Sequence, residues 1–336
     1  MRRLFRGVSL LREKGAKIQS EYKDVTGLAI ASIALLVIMG ISAEGFLSWY
    51  NLHNVLKDFS ILLIVASGMT LAILLGKIDM SAGSVMSLSA ITVTMLLASG
   101  VGFVPAVLAA IGAGALVGLL NGYLVGVQKL NHFIATFATM SIAKGVALIA
   151  CDGAIINSNS KALLFLGTGK FLGLFVIVWI VAIVFVALYL VMKKGRFGYR
   201  VYSVGGSENV AELSGINTRK VYVLSFIIAG MLAAAAGLFM AGKANSGNVT
   251  MGDGYEFNAI ATVLIGGTPF DGGKGGLLGT MFGAFFISAL KNGIALLGLT
   301  PAWQYAIIGI VILVVIVMDV ALNERRKAEE RRRTRT

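Results

Sequence analysis

A chain of 336 residues that is 57% hydrophobic and only 13% charged, with a mean hydropathy of +0.86, carries more apolar surface than one water-soluble core can hide. Lipid is its solvent, and an ordinary soluble enzyme or binding module is excluded. The single Cys151 rules out an intramolecular disulfide, and His53 and His132 are too far apart in the sequence to suggest a metal site.

Apolar runs at about 27–43, 61–76, 82–99, 104–127, 133–150, 171–192, 221–242, 257–267, 276–297 and 303–320 predict the spanning segments. A spanning helix needs about 20 apolar residues, and only 257–267 is clearly too short. Lys and Arg gather in three places: Arg2 to Lys23, Lys193 to Lys220, and Arg325 to Arg335. Positive flanks mark the cytoplasmic side, so the chain must cross an even number of times between each pair of basic segments. Six crossings followed by four meet that condition only when the short run is counted. The expected fold is all-α, a polytopic membrane protein of about ten transmembrane helices in two weakly similar halves, with short or re-entrant segments. A basic arm (1–26) and a basic tail (321–336) would flank a transmembrane domain (27–320) whose cytoplasmic loop covers 193–220. More than twenty residues precede the first apolar run, which argues against a removable signal peptide.

The formal net charge of +13 sits in these membrane-flanking segments, where it meets anionic lipid. The tail has no aromatic platform, and Glu324, Glu329 and Glu330 interrupt its positive field. Nucleic acid is not an expected partner.

The stretch GGTPFDGGKGGLLGT, Gly266 to Thr280, invites comparison with a phosphate-binding loop. It fails as one: Gly275 follows Gly273-Lys274 where a serine or threonine is needed, and Thr268 stands where the first glycine belongs. It reads instead as a tight turn in which glycines supply positive φ and Pro269 sets a bend. Elsewhere glycine recurs every fourth residue, at Gly114, Gly118, Gly122 and Gly126 and at Gly275, Gly279 and Gly283. That spacing predicts two helix faces on which a neighbouring backbone can come close. An Asn-Gly pair accompanies each stripe, at Asn121-Gly122 and Asn292-Gly293, a faint internal similarity of the kind transporters show.

In the central loop, Ser207 before Glu208, Ala211 and Glu212 predicts an N-cap and a short helix ending at Gly215. Glu208 and Glu212 share one face, while Val210, Leu213 and Ile216 offer apolar contact suited to a groove on another protein.

The segments IDMSAGSVMSLSA (78–90), GLLNGYLVGVQKLNHFIATFATMSIAKGVAL (118–148), GRFGYRVYSVGGSENVAELSGI (195–216), GYEFNAIATVLIGGTPFDGGKGGLLGT (254–280) and NGIALLGLTPAWQYAIIGIVIL (292–313) resemble, in order, the membrane permease family of ribose-type monosaccharide ABC importers. Three positions depart from the family pattern: His132 for a usual proline, Lys274 for arginine, and Asp271 for a small residue. The resemblance implies a non-enzymatic permease without cofactors in a bacterial inner membrane. Its implied partners are a second permease copy or close paralogue, a cytoplasmic ABC ATPase and an extracytoplasmic sugar-binding protein. It also marks Gly205, Gly206, Glu208, Asn209, Ala211, Glu212, Ser214 and Gly215 as residues that couple to the ATPase.

A neutral, hydroxyl-rich solute needs side-chain hydrogen-bond partners without a strong field, and Asn121, Thr136, Thr139, Asn258, Thr262 and Asn292 are the candidates along the path. Lys144 and Lys291 fall inside apolar runs and require internal partners. An ion-coupled secondary transporter is the alternative, but the acids Asp79, Asp253, Glu256, Asp271 and Asp319 all fall near predicted run ends rather than within spans.

Overall fold

The computed structural model describes residues 28–300, 302–314 and 317. The predicted arm and tail lie outside the described residues. Among the described residues, thirteen helices account for nearly all the regular structure: α1 (Leu28–Ser42), α2 (Trp49–Leu74), α3 (Ala82–Ala98), α4 (Phe103–Gly126), α5 (His132–Cys151), α6 (Lys161–Thr168), α7 (Val176–Lys194), α8 (Arg196–Gly206), α9 (Glu208–Leu213), α10 (Thr218–Ala244), α11 (Tyr255–Ile265), α12 (Leu277–Leu296) and α13 (Ala302–Val314). Two short antiparallel ladders complete it, β1 (Ile156–Asn157) with β4 (Ser246–Gly247) and β2 (Lys170–Phe171) with β3 (Leu174–Phe175).

Six helices, α2, α4, α5, α7, α10 and α12, are long and apolar enough to cross a membrane, and α1, α3, α11 and α13 are shorter apolar helices. These ten match the ten predicted runs, so the chain is an all-α polytopic membrane protein. The run at 61–76 gave only the second half of α2. Its first half carries Asn51, His53, Lys57 and Asp58, which hide a helix from any hydropathy reading. Ser48 caps it by accepting from Asn51 N, and the His53 ring reaches Trp49 O and Gly173 O.

Helices α2, α3 and α10 form the interior, with α4, α5, α7 and α12 around them. The α4–α10 contact is made by glycine. A Cβ at Gly114 would lie 2.4 Å from Gly230 O, at Gly118 2.2 Å from Phe226 O, at Gly122 2.7 Å from Val223 Cα, and at Gly126 2.4 Å from Tyr222 Cβ. The second stripe needs correction. Gly279 and Gly283 do lie on α12 against Gly266 and Thr262 of α11, but Gly275 precedes α12 and turns at φ +86 beside Thr268. It belongs to the turn and not to the helix face, because α12 starts only at Leu277.

The short run is the informative exception. Eleven residues of α11 rise only about 16 Å, against about 30 Å of hydrocarbon. The rest of the crossing is non-helical. After α10 the chain turns at Asn245 (φ 50) and descends along α3, passing Gly247 at the level of Ala90 and Thr94 and Gly252 at the level of Gly83. Gly252 N donates to Ser87 Oγ at 3.0 Å on the way. Ala90 to Gly83 is at least about 10 Å of helix, so α11 begins well inside the bundle.

Candidate functional site

Two regions could do work: the loop between α7 and α10, and the polar groups buried within the bundle.

Helix α9 forms as its sequence predicts, with Ser207 Oγ accepting from Val210 N. Polar contacts fasten it to the bundle. Glu208 pairs with Lys129 of the α4–α5 loop and accepts from Tyr222 Oη at 3.2 Å, while Thr218 Oγ1 donates to Glu212 at 2.7 Å. Partial burial works to raise the Glu208 pKa, but the Lys129 hydrogen bond and charge, with the Tyr222 hydroxyl, outweigh it and hold the carboxyl below its usual range. Ala211 is 2% exposed, so it faces the bundle. Val210 and Leu213 point outward, Leu213 at 90% exposure, and Asn209, Glu212, Ser214 and Gly215 are exposed as well.

Beneath α9 lies the glycine-rich turn. Gly205 packs so closely on the end of α2 that a Cβ would meet Leu74 O at 1.8 Å, and one at Gly273 would meet Gly206 Cα at 2.8 Å. Gly273 N donates to Leu74 O at 2.9 Å, and Tyr202 Oη donates to Gly275 O at 2.9 Å. Gly272, Gly273 and Gly275 all have positive φ. The stretch that imitates a phosphate loop is a joint at which the α8–α9 hinge, the end of α2 and the α11–α12 turn meet through main-chain atoms.

The six path candidates separate into three places. Asn121 Nδ2 donates to Ser81 Oγ at 2.8 Å and Asp79 at 3.3 Å, and its carbonyl accepts from Thr139 Oγ1 at 2.6 Å. Thr136 Oγ1 accepts from Met80 N at 3.1 Å, so Asn121, Thr136 and Thr139 together secure the α2–α3 connection. His132 joins them, its Nδ1 accepting from Ile78 N at 3.1 Å, a bond that a proline there could not make. Asn292 pairs reciprocally with Asn51 at 2.7 and 3.0 Å, joining α12 to α2. Asn258 and Thr262 are buried in α11, Thr262 Oγ1 without a hydrogen-bond partner among the described residues.

The sequence left Lys144 and Lys291 without partners, and the structure supplies them. Lys144 of α5 pairs with Asp253 at 2.7 Å, and the Lys291 ammonium lies 5.4 Å from the centre of the Tyr255 ring. Asp253 stands next to a short apolar run in the sequence, and nothing in the linear order shows that this run begins deep in the bundle.

Known proteins are similar to this arrangement. Residues 51–316 match the family described as the branched-chain amino acid transport system permease component. The Bacillus subtilis ribose import permease protein RbsC is 36% identical over 91% of this chain and 98% of its own length. The Escherichia coli K12 RbsC is 35% identical over 86% and 92%, and the L-arabinose permease AraH of Azospirillum brasilense is 25% identical over 90% and 89%. A solved inward-facing structure of a putative metal-chelate type ABC transporter shares the fold at TM-score 0.52, with 16% identity over 89% of this chain and 99% of that one. The chain belongs to this permease family and is the membrane-spanning translocation subunit of an ABC importer.

Proposed function

We propose that the chain, paired with a second copy or close paralogue, forms the path for a monosaccharide or similar small polyol delivered by an extracytoplasmic binding protein. A cytoplasmic ATPase docks on α9 and drives transport. The ribose and arabinose names of the relatives support the solute class. The observation that carries the ATPase assignment is α9 itself. It is a short helix held from below by Glu208, Ala211, Glu212 and the main-chain joint at Gly205 and Gly206, and it presents Val210 and Leu213 to solvent. Such a knob suits an apolar groove on a partner, and any push on it reaches α2, α11 and α12 through the glycine joint. On this reading the arm, the loop 193–220 and the tail are cytoplasmic. Asn121, Thr136, Thr139 and Asn292 act beside the path by fixing the helices that line it, and Asn258 and Thr262 offer polar groups to it from α11.

The test is co-expression with the ATPase and binding protein encoded beside this chain. Sugar-loaded binding protein should stimulate ATP hydrolysis and sugar uptake, and Leu213→Asp should abolish both while leaving the membrane level of the permease unchanged. Uptake that survives Leu213→Asp refutes the docking assignment. Labelling of Ser207→Cys by an impermeant reagent outside intact cells, in a Cys151→Ala background, refutes the orientation.

A further inference from the structure

We infer that Lys144, Asp253 and Tyr305 form a contact site for the monosaccharide, on a water-filled face midway through the membrane. The inference rests on the proposed importer function for the identity of the solute, but its geometry stands apart from it.

Lys144 is twelve residues from His132 and seven from Cys151 along α5, about 18 and 10 Å from the helix ends. Neighbours agree on that depth: Ala147 and Cys151 pack with Ile91 of α3, and Gly252, next to Asp253, lies against Gly83. At this depth the Lys144 and Asp253 side chains are still 42% and 41% exposed. Thr250 is exposed as well, on non-helical backbone. Charges facing hydrocarbon are costly and are rare in spanning segments unless they face a protein interior or an aqueous cavity. Irregular backbone at membrane depth obeys the same restriction, since its amides would go unsatisfied in lipid. The rest of the described chain does not enclose these groups, which places the face on the aqueous path beside the second copy.

What water reaches, a small solute reaches. Tyr305 of α13 is 61% exposed, and its ring covers Gly254, where a Cβ would lie 3.0 Å from Cε1. The site thus combines an ammonium donor, a carboxylate acceptor and an aromatic surface. Lys144 and Asp253 cancel each other in charge, with the buried Glu256 of α11 close to both, so an uncharged solute meets directed hydrogen-bonding groups. Hydroxyls can donate to Asp253 and accept from Lys144, while the apolar C–H face of a pyranose or furanose lies on the Tyr305 ring. Charged solutes gain nothing from a self-neutralised pair.

Two measurements test this. In a Cys151→Ala chain, Thr250→Cys should react with methanethiosulfonate ethylsulfonate much faster than Ile183→Cys, an exposed position on α7. Equal rates place the face out of water and overturn the inference, whether or not the chain transports sugar. In the full transporter, Lys144→Gln and Asp253→Asn should each lower monosaccharide uptake about tenfold, the scale of one lost charged hydrogen bond, and Tyr305→Ala should lower it by about two- to tenfold, the scale of one lost aromatic contact. ATPase association should stay intact. The exchange Lys144→Asp with Asp253→Lys rebuilds an ion pair with its polarity reversed. It should restore the amount of folded permease without restoring uptake, and wild-type uptake in the exchanged chain assigns the pair a purely structural role and overturns the inference. Failure of the wild-type chain to associate with any ATPase counts against the importer reading alone, because the thiol result does not depend on it.

Discussion

Replacing Gly118 by alanine asks how closely α4 and α10 must approach. The new methyl carbon would sit 2.2 Å from Phe226 O and 2.9 Å from Ile227 Cα, both main-chain atoms of α10 that no rotamer change can move. Ordinary contact begins at 3.4 Å, so the helices must part by about an ångström along a seam that Gly114, Gly122 and Gly126 keep equally tight. Overpacking of this kind costs about 1–3 kcal/mol. Alanine also favours a helix over glycine by about 0.5–1 kcal/mol, which would blur the result if Gly118 were changed alone. Gly112 removes the ambiguity, because it lies on the same helix with nothing within 4 Å of its would-be Cβ. Both substitutions gain the same propensity, and only one meets a backbone. Measured as the fraction of monodisperse protein surviving a heating series in detergent, Gly118→Ala should fail at lower temperature than wild type. Gly112→Ala should match or exceed wild type. Equal heat resistance of the two variants would refute the claim that glycine is required for close approach here.

Leu213→Asp and Ala211→Arg should fail differently: the first leaves α9 seated and removes ATPase co-purification, and uptake with it, without loosening the loop, while the second must lever α9 off the bundle and should also raise proteolysis between Lys193 and Lys220. Glu208 has its pKa held below the ordinary 4.5, so its pairing stabilises the chain above that value and is lost as pH falls through the depressed one. Both partners are partly exposed, which limits the effect to about 0–1 kcal/mol. Lys129→Met should therefore lower thermal stability at pH 7 by no more than about 1 kcal/mol and converge with wild type as pH falls below about 4.5, and an unchanged acid slope counts against the pair. Asn51→Leu should cost about 1–3 kcal/mol by stranding the Asn292 amide, and adding Asn292→Leu should recover part of that loss; additive losses in detergent unfolding would show that the two amides do not act as a unit.

What the sequence revealed depended on how local the cause was. Helix positions followed from apolar runs, α9 from Ser207 three residues before Val210, and the α4 seam from a four-residue glycine period, all of which are written within one turn or one helix. The start of α2 escaped because Asn51, His53, Lys57 and Asp58 find their partners in other parts of the chain. Side-chain chemistry alone marks the path candidates, and it cannot distinguish a hydroxyl waiting for a solute from one already bonded, as Thr136 and Thr139 are. Lys144 and Asp253 are 109 residues apart, and only the descent of the non-helical segment between α10 and α11 brings them level.

The joint at Gly205, Gly206 and Gly273 has a consequence for how such a protein is studied. At these three glycines the contacts run between main-chain atoms, with the Tyr202 hydroxyl bond to Gly275 O beside them. Replacing the exposed Asp271 or Lys274 one at a time would show an unremarkable surface turn. Alanine, the usual tool for silencing a residue, here adds the one atom that the joint has no room for, so a scan would record a gain of bulk at Gly273 as though it were a lost function.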